Sequence, residues 1–405
     1  MSDIGTLAEG FTFNLNASVA ELLTSLLERA FEMAASDVHI DPATESMRIR
    51  FRIDGLLQDI VAIEQERHAA LISRIKVLSS LRTDEHQAAQ DGRFRVFIRK
   101  LPVDVRVAIS PTYLGERAVL RLLAQTSIFT SLPALGMSEQ DYAHMQSIIT
   151  RPHGLVLVAG PTGSGKTTTL YALLHIVHSP KVSIVTIEDP VEYTMAGVNQ
   201  IQVNSRSSIT FASGLRSILR QDPNIIMVGE IRDAETAKLA VNSALTGHLI
   251  FSTIHTNDAA TTLVRLLDLG IEGYLAASTV NVVIAQRLVR TICSSCAKNT
   301  TETMENFPAI LRRVALNKSR EGEVVFRRGV GCDACMGTGY KGRTALFEVL
   351  YVTPAIRALI LRKASASEIT RTAVGEGMAT MIEDALLKIY KGLITPEEAV
   401  GVLQD

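Results

Sequence analysis

An α/β domain built on a parallel sheet, preceded by a smaller α+β domain, is the fold class this sequence predicts. Between residues 37 and 123, short segments alternate apolar and polar residues, as strands with one covered face do. After residue 137, four continuously apolar runs (GLVLVAG, VSIVTIE, NIIMVGE and HLIFSTI) are separated by stretches with helical spacing. Strands of that kind suit a parallel sheet covered on both faces. The first run leads directly into a glycine-rich loop and then into TTTLYALLHIV, which has helical spacing.

The 405 residues exceed one ordinary domain, and 47% hydrophobic residues suffice for sizeable cores. A formal net charge of −1 and the lack of tryptophan argue against a nucleic-acid channel, which needs basic or aromatic walls. No apolar run approaches the ~20 residues of a membrane span. The start, MSDIGTLAEGFTFNLNAS, lacks the basic and apolar regions of a signal peptide. The expectation is a cytosolic protein that meets a membrane only through partners.

After a short tail, 1–18, the segment VAELLTSLLERAFEMAA repeats apolar residues at helical spacing. SDVHID and MRIRFRIDGLLQDI follow as strands, with Asp54-Gly55 as a hairpin turn signal. HAALISRIKVLSSL reads as a helix; GRFRVFI, VDVRVAIS and ERAVLRLL complete the sheet. This α+β domain spans 19–123, a linker 124–136, and the α/β domain 137–405. Between residues 48 and 121 arginine outnumbers lysine twelve to two. That bias suits bidentate phosphate or carboxylate recognition, and equally salt bridges along exposed strands.

GPTGSGKT fits the phosphate-loop pattern G-x-x-x-x-G-K-[ST]. Gly160, Gly163 and Gly165 let the backbone turn where a side chain would block a phosphate. With Pro161, Thr162, Ser164 and Thr168 they form a cradle at a helix start, where free N–H groups and the dipole favour anions. Lys166 is placed to reach the β- and γ-phosphates of ATP, and Thr167 to offer its hydroxyl to Mg²⁺.

In a parallel sheet the active residues gather at the carboxyl ends of the strands. The second apolar run ends in TIEDPVEY, offering Glu188, Asp189 and Glu192 to orient water or hold magnesium; acids at such ends also cap helices. The third ends in Gly229-Glu230, where Glu230 stands in for the usual metal-binding aspartate. Arg232 and Asp233 read first as a surface ion pair. His248 and His255 flank the fourth run, either to sense a γ-phosphate or as buried histidines bonded to backbone; for His255, beside Thr253 and Thr256, the sensing role is favoured.

All four cysteines fall in C-x₂-C pairs, Cys293/Cys296 and Cys332/Cys335, the spacing of a structural Cys₄ zinc site. The 35 residues between the pairs make the metal a clip at the base of an excursion, here 290–345. Residues 346–405 read as a helical C-terminal part.

In combination these motifs resemble the secretion ATPase superfamily that drives type II secretion and type IV pili. GPTGSGKTT resembles its Walker A, TIEDPVEY its Asp box, IIMVGEIRDAETA its Walker B and TGHLIFSTIHTNDA its His box. SDVHIDP, FRIDG, DGRF and GERAVLRLL resemble its PAS-like domain, and GCDACMGTGYKGRTALFEVL half of its tetracysteine element. The resemblance implies a RecA-like P-loop domain with a zinc-binding excursion behind a PAS-like domain. It implies a homohexamer on the cytoplasmic side of the inner membrane that moves a platform protein and adds pilin or pseudopilin subunits. The zinc element points to assembly, since retraction and conjugation-type relatives lack it. Glu192 matches the water-activating residue, with Glu188 as fallback, and Glu230 the Walker B acid. Arg93, Arg106 and Arg121 match arginines expected to approach the γ-phosphate.

Two departures stand out: about eighteen residues precede the first helix where assembly motors carry a platform-docking domain, and Asn224 replaces a common aspartate. Two other readings compete: a nucleic-acid translocase, and a regulatory switch that binds nucleotide with little turnover.

Overall fold

Strand alternation in the first half and unbroken apolar strands in the second produce two different sheets in the computed structural model, which describes residues 17–124, 131–204, 207–303, 307–317 and 323–404. The chain divides into two units, 1–127 and 128–405. Among the described residues, no helix is long and apolar enough to cross a membrane.

The first unit opens with α1 (Val19–Glu32), started by a capping box between Ser18 and Glu21. Then come β1 (Asp37–Pro42), β2 (Ser46–Ile53), β3 (Leu56–Glu64), α2 (His68–Leu78), β4 (Gln90–Ile98), β5 (Leu101–Thr112) and β6 (Gly115–Ala124). The strands form one antiparallel sheet in the order β3-β2-β1-β6-β5-β4. Asp54 and Gly55, both at positive φ, make the predicted turn between β2 and β3. Met47, Ile49, Phe51, Val103, Val105 and Val107 bury one face, against which α1 and α2 pack. The arginines interleaved with them lie on the other face.

The second unit follows as α3 (Glu139–Ile149), β7 (Gly154–Ala159), α4 (Lys166–Val177), β8 (Ile184–Glu188), β9 (Asn199–Gln202), α5 (Phe211–Ile218) and β10 (Ile225–Val228). It continues with α6 (Ala234–Leu245), β11 (Leu249–Ile254), α7 (Ala259–Asp268), α8 (Gly273–Thr279), β12 (Val280–Ile292), β13 (Ala297–Thr303), α9 (Ala309–Asn317) and β14 (Glu323–Gly329). The chain closes with β15 (Tyr340–Tyr351), α10 (Pro354–Leu361), α11 (Ala366–Gly375), α12 (Met381–Tyr390) and α13 (Pro396–Leu403). The main sheet runs β15-β12-β7-β11-β10-β8-β9, parallel except for β15 at one edge. Its inner strands β7, β8, β10 and β11 are largely apolar because alternate residues enter two cores. Leu155, Leu157, Val185, Ile187, Ile226 and Ile250 face one set of helices, while Val156, Val158, Ile184, Met227 and Phe251 face α3 and α4. Each such side chain contributes about 1.5–3 kcal/mol by leaving water.

Two boundaries, at residues 137 and 346, differ from the sequence reading. Of the expected linker 124–136, residues 125–130 lie outside the described residues, as do 1–16 of the expected tail. Leu132 is fully buried with Met137 and Met145, so the second unit is already packed before residue 137. Residues 346–351, assigned to the helical part, belong to β15, and helices resume only at Pro354. The strand β12, which joins β15 to the rest of the sheet, was not anticipated.

Candidate active site

Strand β7 ends at Ala159 and α4 starts at Lys166, so the glycine loop turns at the carboxyl edge of the sheet. Gly160, Gly163 and Gly165 all adopt positive φ. A Cβ at Gly160 would lie 2.5 Å from the Gln286 carbonyl oxygen, and one at Gly165 2.8 Å from the Gln286 amide nitrogen. Glycine is therefore required by close approach as well as by conformation. Gln286 sits on β12 and is fully buried, and its Oε1 accepts a 2.6 Å bond from Thr169 of α4. It backs the loop from behind. The signal that could have revealed it is the glutamine inside VNVVIAQRLV, a run that also carries Asn281 and Arg287.

Lys166 folds over the loop, its Nζ donating to the Gly160 and Pro161 carbonyls at 2.8 Å. Burial pushes its pKa down to about 8, against the pull of the nearby Glu230 carboxylate. Thr162 and Thr167 are exposed and Thr168 half-buried.

Glu230 follows β10. Its position relative to the next strand is set by Ser252 and Thr253 of β11, whose hydroxyls donate to the Val228 and Gly229 carbonyls at 2.7 Å. Arg232 pairs with Glu230 Oε1, and His255 Nε2 lies 3.4 Å from Oε2. Burial, reinforced by the Lys166 charge, lowers the His255 pKa, while Glu230 works against that. Asp233 is not Arg232's ion partner; it caps α6 by accepting from the Thr236 N–H at 2.8 Å. The structure thus brings Lys166, Glu230 and His255 together beside the phosphate loop.

Two buried polar atoms there, Ser164 Oγ and Glu230 Oε2, make no hydrogen bond, the second having only the 3.4 Å His255 contact. Leaving such atoms unmatched costs about 1–3 kcal/mol each. Together with the glycine cradle and Lys166, they fit a bound magnesium–nucleotide complex.

The other sequence candidates separate. Glu188, at the end of β8, is buried and accepts from Thr186 and Tyr171 hydroxyls at 2.6 Å and from the Gln200 amide at 3.1 Å. Burial raises its pKa, an effect those hydrogen bonds oppose and the Glu192 charge adds to. With both oxygens engaged, Glu188 reads as an internal anchor rather than a water-orienting group. Glu192 stands on the following loop, half-buried. Asp189 is exposed, and its charge acts on Arg232. His248 is not part of the cluster. It precedes β11 at the amino end, about 23 Å of strand away from His255, and its Nδ1 bonds the Ser243 carbonyl at 3.0 Å. Sequence gave both histidines the same flanking position; only one strand end faces the loop.

Arg93, Arg106 and Arg121 fall at one level of the first unit's sheet, on paired positions of β4, β5 and β6. The row continues through Asp37 to Arg52. Arg121 donates to Asp37 Oδ1 at 2.9 Å, and Arg52 lies 3.5 Å from Oδ2.

The four cysteines converge where the β13–β14 ribbon leaves and rejoins the main sheet. All four sulfurs lie within 4.8 Å of one another, with Cys293–Cys332, Cys296–Cys335 and Cys332–Cys335 at 3.9, 3.8 and 3.7 Å. A tetrahedral zinc with bonds of about 2.3 Å sets its sulfurs about 3.8 Å apart. The Cys332 and Gly339 N–H groups donate to Cys335 Sγ at 3.2 Å, as a metal-bound thiolate requires. The cluster fits zinc.

Compared with known families, residues 14–401 match the type II/IV secretion system protein model. The chain belongs to that family. The type II secretion system protein HxcR of Pseudomonas aeruginosa is 43% identical over 405 residues, covering all of this chain and 81% of HxcR. The type IV pilus assembly ATPase PilB of Myxococcus xanthus is 41% identical over 95% of this chain and 68% of PilB. Among solved structures, the pilus retraction motor PilT with bound ADP aligns at TM-score 0.63 and 26% identity, over 93% of this chain and 95% of PilT. The Legionella pneumophila ATPase DotB shares the fold at TM-score 0.71 and 22% identity, over 98% of each chain. With its phosphate loop intact, this member of the family is an ATPase of the secretion and pilus group.

Proposed function

We propose that the chain is a hexameric cytoplasmic motor that assembles a type IV pilus or a type II secretion pseudopilus. The observation that carries this reading is the pairing, in one chain, of the Lys166–Glu230 site with a Cys₄ cluster. It is supported by the chain-long similarity to a secretion protein and to a pilus assembly ATPase. The motor acts on an inner-membrane platform protein and reaches the membrane through it.

Thr167, and Glu230 through water, would hold magnesium, which would supply neutralisation of the phosphate charge. Lys166 leaves its carbonyl partners to bind the phosphates, and Glu192 orients the attacking water. His255, beside Glu230, senses whether the γ-phosphate is present. Arg93, Arg106 and Arg121 draw the first domain onto the nucleotide, and hydrolysis releases it, turning closure into mechanical work.

The test is complementation of a strain that lacks the gene. The wild-type gene restores surface fibres or secreted protein, and Glu230→Gln at equal abundance does not. Full restoration by Glu230→Gln would refute a hydrolysis-driven motor.

A further inference from the structure

Tyr171 lies on α4, one turn and a half beyond Lys166, and belongs to none of the motifs above. It is 2% exposed, yet its hydroxyl is the hub of a polar network. The hydroxyl is 2.6 Å from Glu188 Oε2 and 3.0 Å from the Tyr193 carbonyl oxygen. Gln200 of β9 closes the network from the other side. Its Nε2 is 3.1 Å from Glu188 Oε1, 3.1 Å from the Tyr171 hydroxyl and 2.8 Å from the Tyr193 carbonyl. Its Oε1 accepts from the Met195 N–H at 2.8 Å. The Tyr171 and Tyr193 rings meet edge to face, with centroids 5.9 Å apart.

The chain between Glu188 and Gln200 holds Glu192, and both flanks of that loop end on this network. Three elements are tied together by it: the helix that begins at the phosphate loop, the strand that ends at Glu188, and β9 at the sheet edge. A buried network whose members are satisfied has one geometry, because any displacement leaves a polar group unpaired. We infer that Tyr171, acting with Glu188 and Gln200, is a positioning residue that holds the Glu192 loop in register with the phosphate-loop helix. The inference rests on the reading of Glu192 as the water-orienting residue. It converts Glu188 from an alternative for that role into the anchor of the loop. Tyr171 does not touch nucleotide; it sets where Glu192 stands, and misplacement by about 1 Å at a reacting group can cost a hundredfold in rate.

The experiment is single-turnover ATP hydrolysis by the full chain, with nucleotide affinity measured in parallel, for Tyr171→Phe, Gln200→Met, Glu192→Gln and Tyr171→Phe/Glu192→Gln. Tyr171→Phe keeps the ring contact and removes only the hydroxyl. The expected result is a ten- to hundredfold loss of rate in Tyr171→Phe and in Gln200→Met, with affinity within about twofold of wild type. In the Glu192→Gln background Tyr171→Phe then adds no further loss. Wild-type rate in Tyr171→Phe while Glu192→Gln is inactive would overturn the inference alone. Equal fold losses in both backgrounds would also overturn it, because the hydroxyl would then act on something other than Glu192. Undiminished rate in Glu192→Gln would remove the water-orienting reading and the inference with it.

Discussion

Nucleotide affinity should carry the titration of one lysine. Lys166 is buried under its own loop, and its pKa is pushed down to about 8 from the ordinary 10.5. Phosphate binds the ammonium form. Below about pH 7 that form is already present, so affinity is flat. Above pH 8 binding must take up a proton, and affinity falls by the factor 1 + 10^(pH − 8), about elevenfold or ~1.4 kcal/mol at pH 9. The effect on stability has the opposite sign. With the folded-state pKa lowered, the unfolded chain binds this proton more tightly between about pH 8 and 10.5, so this group's contribution to stability rises with pH there. The assay is anisotropy of a fluorescent ADP with magnesium from pH 6.5 to 9.5, with Lys166→Ala as a weak-binding control whose affinity does not follow this titration. A wild-type dissociation constant constant within twofold across that range would refute the placement of Lys166 as a desolvated phosphate ligand.

Arg106→Ala should keep nucleotide affinity within about twofold and lose most turnover, as steady-state kinetics would show; undiminished turnover removes that arginine from the mechanism. Metal analysis should find one zinc per chain, and Cys332→Ser should release it. Hydrogen exchange should then rise first at residues 297–303 and 323–329, while β7 stays protected, because the cluster clips the ribbon rather than the main sheet.

Legibility in the sequence followed the range of the interactions. The phosphate loop was plain because the chemistry of holding a phosphate fixes glycines and a lysine within eight residues. Strands β7, β8, β10 and β11 were plain because turn signals or helical spacing separate them. Strand β12 carries polar residues such as Asn281, Gln286 and Arg287 among its apolar ones, and it follows α8 without a break, Thr279 ending the helix and Val280 starting the strand. Nothing local marks that switch. In β15 the residues 344–350 are all buried, which erases the alternation of a strand and reads as a helix core. The choice between Glu188 and Glu192 was closed to sequence for a different reason. What occupies Glu188 is a tyrosine 17 residues before it and a glutamine 12 residues after it, and only the fold brings them together. For the histidines of the fourth run, sequence already favoured His255 as the functional one, beside Thr253 and Thr256, and the fold places it by Glu230 while His248 bonds the Ser243 carbonyl.

The most direct measurement is ATP turnover across size-resolved fractions of purified protein, wild type against Glu230→Gln. Turnover confined to a hexamer-sized fraction and reduced at least about a hundredfold in the variant is the expected result. Turnover in monomers, or a Glu230→Gln hexamer as active as wild type, would contradict a ring motor with Glu230 at its metal site.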